Sequence, residues 1–571
     1  MATIATQDQP RIDSLDKVTG RAEYTEDTAA PPGTVCGRVL LSPYSHARIR
    51  SIDSSKAEQL PGVLSVLTRD HLKGLNPIIP RGGGEGGGGP FASKHLPDQA
   101  FIATEKVRFD GDVVAAVAAE TSAIADYAIG LIEVEYEELT PIFDPLDAIK
   151  EGAPLLHEAK GSNVVGEFNF GWGDVDKALK ESTQVFEDTF VFVNVFHHPM
   201  ENVGICVAEF RDGLVTLTAP IQHIYNGREE ICGVFALEPD QVRIKMPYIG
   251  GGFGAKELKP SMLCAIWLAR ETGRPVKMAS SVQESFRNDS RHYIIYKAKI
   301  GVDPAGIITA MDIDLLVEAG AYQTGSMGAT RLAGIASWGP YRTPNLRVHA
   351  PCVYTNKVPA GSFRGVGKAQ VTWGCESLID AVARGIGVDP LEFRRKNILQ
   401  RGEQVVEGTT PLDADFGDLM DRASEAIGWD GHIDNNPEAT DSRIVKGRGM
   451  AVSLRHGYLG SGRSYAIATI DRRGIVTIRQ NATEIGEGIY SIVSRVASET
   501  LGIPQEYIRV TDPDTFQNPY YDGVSSQRST VCMGNAVQEA CEDLKRELIE
   551  VASKSKGGSP EEWRVAEGRL W

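Results

Sequence analysis

Apolar and polar residues alternate along Val242-Arg243-Ile244-Lys245-Met246, the pattern of a strand with one buried face. A glycine run follows, Gly250-Gly251-Gly252-Phe253-Gly254-Ala255-Lys256-Glu257. Beyond it Leu263, Ile266 and Trp267 fall at helical spacing, with Ser261 placed to cap the helix and Gly273 to end it. Upstream, Leu131 to Tyr136 alternates apolar with acidic residues. Val107-Arg108-Phe109 and Val113 to Val117 read as strands on either side of an Asp110-Gly111 turn. Downstream, Ile475 to Ile478 reads as a strand. Gly486-Glu487-Gly488 then opens a helix with Ile489, Ile492, Val493 and Val496 on one face, and a further helix aligns Val537, Cys541, Leu544 and Leu548. Strands and helices are interspersed throughout, which gives an α+β (mixed α/β) class.

At 571 residues the chain exceeds what one hydrophobic core organises, and roughly two to four domains are expected. Changes of character after Glu151-Gly152-Ala153-Pro154 and around Asn435-Asn436-Pro437 divide it into 1–155, 156–440 and 441–571. The tract from Arg81 to Gly89 is glycine-rich with no helix pattern behind it, and reads as a mobile surface loop. The net charge of -17 without a basic stripe argues against a nucleic-acid partner. No apolar run is long enough to span a bilayer, and no secretory pattern opens the chain, so a cytoplasmic location is expected. Eight scattered cysteines with no Cys-x-x-Cys pair argue against zinc or a cysteine-ligated iron–sulfur cluster in this chain.

A glycine loop between strand and helix lets backbone amides approach an anion or a polar oxo group. It is not a P-loop: Ala255 precedes Lys256, and Glu257 stands where the magnesium-binding hydroxyl would be. A bare glycine run is also consistent with a plain turn. His197 and Glu201 are four apart, but Pro199 between them breaks the helix that could turn both to one metal.

With Phe253 and Glu257 in place, the run resembles the active-site loop of the xanthine dehydrogenase/aldehyde oxidase family of molybdenum hydroxylases. The resemblance extends over the chain. "KVTGRAEYTED", "LSPYSHARIRSID" and "LPGVLSVLT" are similar to the family's opening hammerhead-type domain, with molybdopterin-binding domains to follow. "VYTNKVPAGSFRGVGKAQ" is similar to a second family motif, matching at Arg364, Gly365, Gly367 and Gln370. Val366 stands where the family often has a phenylalanine, which removes a stacking surface and speaks against purines. Gly361 stands where carbon monoxide dehydrogenases carry a copper-binding cysteine, so that soft ligand is missing.

The resemblance implies roles. Gln222 would hydrogen-bond a molybdenum oxo ligand, and Phe253 would wall the pocket. The amides of Gly252, Phe253, Gly254 and Ala255 would line the site, Glu257 would face the substrate, and Arg364 would join the catalytic group. Glu201 would play a supporting part. Gly486, Glu487 and Gly488 would contact the pterin through free helix-end amides, although the family writes this as Gly-Gln-Gly and a carboxylate at 487 repels unless turned away. Ser525 and Ser526, in "DGVSSQRSTVCMGNAV", would form a further cofactor loop.

The implied cofactor is a molybdopterin-type molybdenum cofactor, with the cytosine dinucleotide as one alternative form. The metal would be held through the pterin, with no protein ligand and no iron–sulfur cluster or FAD in this chain. The implied activity is oxidation of an aldehyde or N-heteroaromatic small molecule with water as oxygen source. A [2Fe–2S] small subunit and an FAD-binding medium subunit would be partners, in a possible dimer of heterotrimers. "SPEEWRVAEGRLW" is similar to a point where family subunits continue, towards a glutamate that acts as base. This implies activity only after completion by further chain or by other subunits, with the face at Val537, Cys541, Leu544 and Leu548 left without a packing partner. Two other readings are an inactive or structural paralogue and a glycine-rich nucleotide-binding enzyme.

Overall fold

The structure is a computed structural model and describes residues 10–79, 98–430, 445–454, 462–526, 528–566 and 568–571. The glycine tract at 81–89 and the stretch around 435–437 lie outside these residues. A seven-stranded sheet runs in the spatial order Val242–Lys245, Leu214–Thr218, Cys206–Arg211, Val276–Met278, Val35–Leu41, Val113–Ala119, Val63–Leu67. Strands from either side of residue 155 are thus hydrogen-bonded in one sheet, through the parallel pairing Val35↔Val276.

Strand Val113–Ala119 (VVAAVAA) is buried along its whole length. Alternate residues of a strand point to opposite faces, and here the two faces feed different cores. Ala116 and Ala118 join Leu263 and Trp267, whereas Ala115, Val117 and Ala119 join Ala125 and Ala128. The residues read as two strands about a turn do not form a hairpin. Lys106–Val107 pairs with Ala47–Asp53 in a separate three-stranded sheet that also holds Glu133–Glu138.

The glycine run leads into helix Pro260–Thr272, in which every residue from Ser261 to Ala269 is buried. A helix apolar on all sides belongs inside a core, and this one packs on the seven-stranded sheet. It starts one residue before the expected cap, because Pro260 sits at its first position with its φ already helical. Ser261 lies within the helix and donates its hydroxyl to Gly204 O at 3.0 Å. Gly273 ends the helix as expected, with φ +64°.

A second sheet orders Val164–Trp172, Leu346–Tyr354, Ile308–Gly320, Ile294–Val302 and Gln184–Phe192, with helices Ser326–Ala336 and Lys368–Gly385 contributing to its core. The third unit pairs Ile467–Ile470, Val476–Arg479 and Ile508–Val510 beneath helices Ile489–Leu501 and Gly534–Lys556. Val537, Cys541 and Leu544 are buried in that core and Leu548 packs against it. The helix face expected to lack a partner is covered, by Val493, Val496 and Ala497 of the helix after Gly488.

This third unit grips the edge strand that precedes the glycine run. Thr515 N donates to Ile244 O at 3.0 Å, Met246 N to Pro513 O at 3.1 Å, and Arg243 pairs with Asp514 at 2.5 Å. Because this face is covered, Leu544→Ala leaves a cavity and lowers unfolding free energy by about 2–4 kcal/mol. Urea denaturation reads this directly, and a change near zero would mean the face is bare.

Candidate active site

The loop is held by close backbone approach. A Cβ on Gly252 would sit 2.6 Å from Gln222 Oε1, and a Cβ on Gly254 would sit 2.0 Å from Ser362 O, with φ at +108°. Both positions exclude side chains. Gln222 is 4% exposed. Its carbonyl accepts the Gly254 amide at 2.9 Å and its amide group donates to Val524 O at 3.3 Å. Its backbone continues the same junction, with Gln222 N on Lys256 O at 2.8 Å and Val524 N on Gln222 O at 3.2 Å. Gln222 therefore ties the glycine loop to the third unit, beside the expected Ser525 and Ser526. Both serines are half-buried, and Ser526 is held at φ +54°.

Three charged side chains leave the loop, each for a charged or titratable partner on a different segment. Lys256, 1% exposed, donates to Glu201 Oε2 at 3.1 Å and to the carbonyls of Glu201 and Asn202 at 2.6 and 2.8 Å. Burial lowers its pKa to about 8, with Glu201 opposing the shift. The Glu201 carboxylate also accepts the amides of Gly250 and Thr25. Glu257 Oε1 lies 2.8 Å from His223 Nδ1. Lys259 lies 3.1 Å from Asp289. His197 is no metal ligand here: its Nε2 donates to Ser362 O at 2.7 Å and its ring lies 4.4 Å from that of Phe363. Among the described residues no cluster of three or more His, Cys, Asp or Glu could hold a metal ion.

Beside the loop a cavity of about 170 Å³ is bordered by Gly254, Glu257, Lys259, Asp289, Gly361 and Ser362. Phe253 and Arg364 stand outside its lining. Phe253 is 43% exposed at φ +56°, and Arg364 joins the loop only through its amide, 2.9 Å from Phe253 O, while its side chain is exposed. Five of the seven non-glycine residues with positive φ among the described residues frame this region: His198, Phe253, Thr324, Val366 and Ser526. Strained backbone concentrates at functional sites. The single π-helical turn among the described residues, Ser529–Met533, follows the Ser525-Ser526 loop, another feature frequent at such sites.

Gly486 and Gly488 differ from expectation. Their amides are not free: both donate to Glu484 Oε1, at 2.8 and 3.1 Å. The helix end already holds a carboxylate, one of the anions its dipole favours, and Arg11 and Lys17 neutralise it at 3.0 and 3.8 Å. Glu487 turns back to accept the Ile485 amide at 3.0 Å. Although Glu487 is solvent-exposed, the protein atoms around it, then the Glu484 carboxylate, push it up to about 7. The sequence reading missed Glu484, Arg11, His223 and Asp289. A lone histidine or acid carries no spacing signal, and Arg11 lies more than 470 residues from its partner.

The residues fit an anionic, oxygen-rich group. Among the described residues the amides of Gly252 and Phe253 have no acceptor, and one hydrogen of the Gln222 amide group remains available. Among the described residues Ser464 Oγ and Arg528 Nε are buried without partners on the third unit.

Comparison with known proteins accords with this fit. Residues 19–140 match the aldehyde oxidase and xanthine dehydrogenase a/b hammerhead domain, and 156–398 and 422–571 match molybdopterin cofactor-binding domains. A probable xanthine dehydrogenase subunit of Bacillus subtilis (strain 168) is 32% identical over 557 residues, covering 96% of this chain and 72% of that one. The chain belongs to the xanthine dehydrogenase/aldehyde oxidase family. The nicotinate dehydrogenase large molybdopterin subunit of Eubacterium barkeri is 33% identical over 430 residues, 74% of this chain and 96% of that one. Quinoline 2-oxidoreductase from Pseudomonas putida 86 superposes with a TM-score of 0.86 at 25% identity, over 98% of this chain and 73% of that one. The chain is thus a molybdopterin-binding oxidoreductase chain of mixed α/β fold. The reading as an inactive paralogue has no support in these relatives, all named as dehydrogenases or oxidoreductases. Two of the three are named as subunits. Among the described residues no helix is long and apolar enough to cross a membrane.

Two outcomes follow from this geometry. Gly254→Ala combines a strained φ with a clash on a backbone oxygen and destabilises by at least about 2 kcal/mol. Gly233→Ala, in helix Ile224–Phe235 with open space at its Cβ, is neutral or stabilising; equal Tm shifts would refute the close approach. For Glu487, a folded pKa raised to about 7 means that the protonated form is favoured on folding. Its contribution is complete below the unfolded value near 4.5 and is lost as pH rises towards 7. Glu487→Gln flattens the urea midpoint between those pH values, and a wild-type slope retained in the variant would contradict the assignment.

Proposed function

We propose that this chain is the molybdenum-cofactor subunit of a hydroxylase that oxidises an aldehyde or N-heteroaromatic carbon with oxygen from water. The observation that carries the reading is the junction at Gln222, where the glycine loop meets the third unit beside amide donors that have no acceptor among the described residues. The second hydrogen of the Gln222 amide group, with the amides of Gly252 and Phe253, would hold the cofactor's oxo and pterin oxygens. Ser525, Ser526 and the buried groups Ser464 and Arg528 would hold its far side. When bound, the molybdenum cofactor supplies the two-electron oxidation of the substrate carbon.

Glu257 borders the cavity and accepts a hydrogen bond from the substrate, stabilising charge that develops on it, with His223 fixing the carboxylate from behind. Phe253 and Arg364, exposed here, would stand at the approach to the cavity. Purines are poor substrates in this reading, because Val366 supplies no ring on which a bicycle could stack. Electrons leave to a [2Fe–2S] subunit and a flavin subunit, consistent with relatives named as subunits of larger enzymes. A cytoplasmic location and a dimer of heterotrimers belong to the same reading.

The test is metal and pterin content followed by turnover. The protein purified with its partner subunits carries molybdenum and a pterin. Glu257→Gln keeps both while kcat/KM falls about 10²–10³-fold, the usual effect of losing one transition-state contact. Unchanged turnover at matched molybdenum content would leave Glu257 as a helix-end carboxylate. Protein free of molybdenum and pterin would defeat the function itself.

A further inference from the structure

We propose that Asp289 is a specificity-determining residue that reads an N–H group on the substrate, so that the cavity prefers N–H-bearing heteroaromatic lactams over ring compounds without that donor. This rests on the function proposed above and narrows its substrate class.

Asp289 is 5% exposed, yet its side chain borders the same cavity as Glu257 and Gly254. Two short parallel strands fix its position: Ser290 pairs with Ala360 and Arg291 with Gly361, and Ser290 N donates to Pro359 O at 3.2 Å. That register sets the Asp289 carboxylate directly against Gly361. A Cβ at Gly361 would lie 2.3 Å from Oδ1 and 2.5 Å from Oδ2. The missing side chain at 361 is therefore the space in which the carboxylate stands.

Oδ2 accepts from the Lys259 ammonium at 3.1 Å. Oδ1 has no hydrogen-bond partner among the described residues. A carboxylate is an acceptor only, and Oδ1, which is not one of the sealed atoms of the interior, keeps lone pairs open to a ligand or water. Lys259 balances the charge, so an incoming group need not be a cation; a neutral N–H suffices. The cavity then carries Asp289 on one side and the His223-held Glu257 on another, two acceptor-only groups facing a bound ring. A lactam N–H supplies a donor to Asp289 Oδ1, whereas an aldehyde or an alkylated heterocycle leaves Oδ1 unpaired. Sites built to hydrogen-bond a donor reject analogues without it far more strongly than apolar pockets reject an extra methylene.

The experiment compares two probes of one ring, 4(3H)-pyrimidinone, which carries an N–H, and 4-methoxypyrimidine, which does not. Kd for each is measured by isothermal titration on the complete enzyme with matched molybdenum content, and kcat and KM are measured alongside. Wild type binds the pyrimidinone at least about tenfold tighter, the scale of a hydrogen bond to a charged acceptor. Asp289→Asn reduces that preference about tenfold, raising KM for the pyrimidinone with a smaller change in kcat, and shifts 4-methoxypyrimidine less than about twofold. Gly361→Ala, which displaces the carboxylate without altering it, acts in the same direction. Equal wild-type affinity for the two probes overturns the proposal whether or not either variant folds. So does a variant that weakens both probes alike or neither, which would mark Lys259–Asp289 as a purely structural pair. Equal Kd values on a molybdenum-loaded, active enzyme would defeat this inference and leave the function standing; a preference retained in protein without molybdenum or turnover would do the reverse.

Discussion

The distance between the Gly252 backbone and the Gln222 carboxamide constrains everything around the site. With a Cβ 2.6 Å from Oε1, any side chain at 252 would push the Gln222 carboxamide out of place. The same carboxamide must reach Val524 on a strand-and-helix unit some 300 residues further along the chain. Moving the loop outward would break the Gly254 contact and leave the carboxamide held through Val524 alone.

Around that contact the protein spends buried charge rather than apolar packing. Lys256, Glu257 and Lys259 leave one short loop for Glu201, His223 and Asp289, which stand on three different segments. Buried pairs of this kind are weak devices for stability, because desolvation offsets most of the attraction. They are exacting about geometry, since removing either partner strands a charge. That exchange suits a site whose donors must keep fixed positions. The helix Pro260–Thr272, buried from Ser261 to Ala269, anchors one end of the loop, and the strand gripped by Asp514 and Thr515 anchors the other.

Much of this was legible in the sequence. Strand, glycine run, helix and the Gly273 stop follow from period-2 and period-3.6 patterns with a left-handed cap. The helices after Gly488 and before Gly557 follow from their apolar faces. Sequence patterning failed where a position is decided by something distant. Val107 and Val113 look like a hairpin locally but are claimed by different sheets. The amides of Gly486 and Gly488 look free, but a buried acid two residues upstream takes them and an arginine from the N-terminal segment neutralises it. Asp289 carries no motif at all. Its meaning comes from facing a residue without a side chain.

The central claim is that the cofactor seats where the glycine loop meets the third unit, at Gln222. Anomalous diffraction at the molybdenum edge from crystals of the molybdenum-loaded protein tests it directly. The account predicts one strong peak per chain beside the Gln222 carboxamide and the Gly252 and Phe253 amides, bordering the cavity at Glu257. A peak elsewhere, or molybdenum-loaded crystals with none at that position, would contradict it.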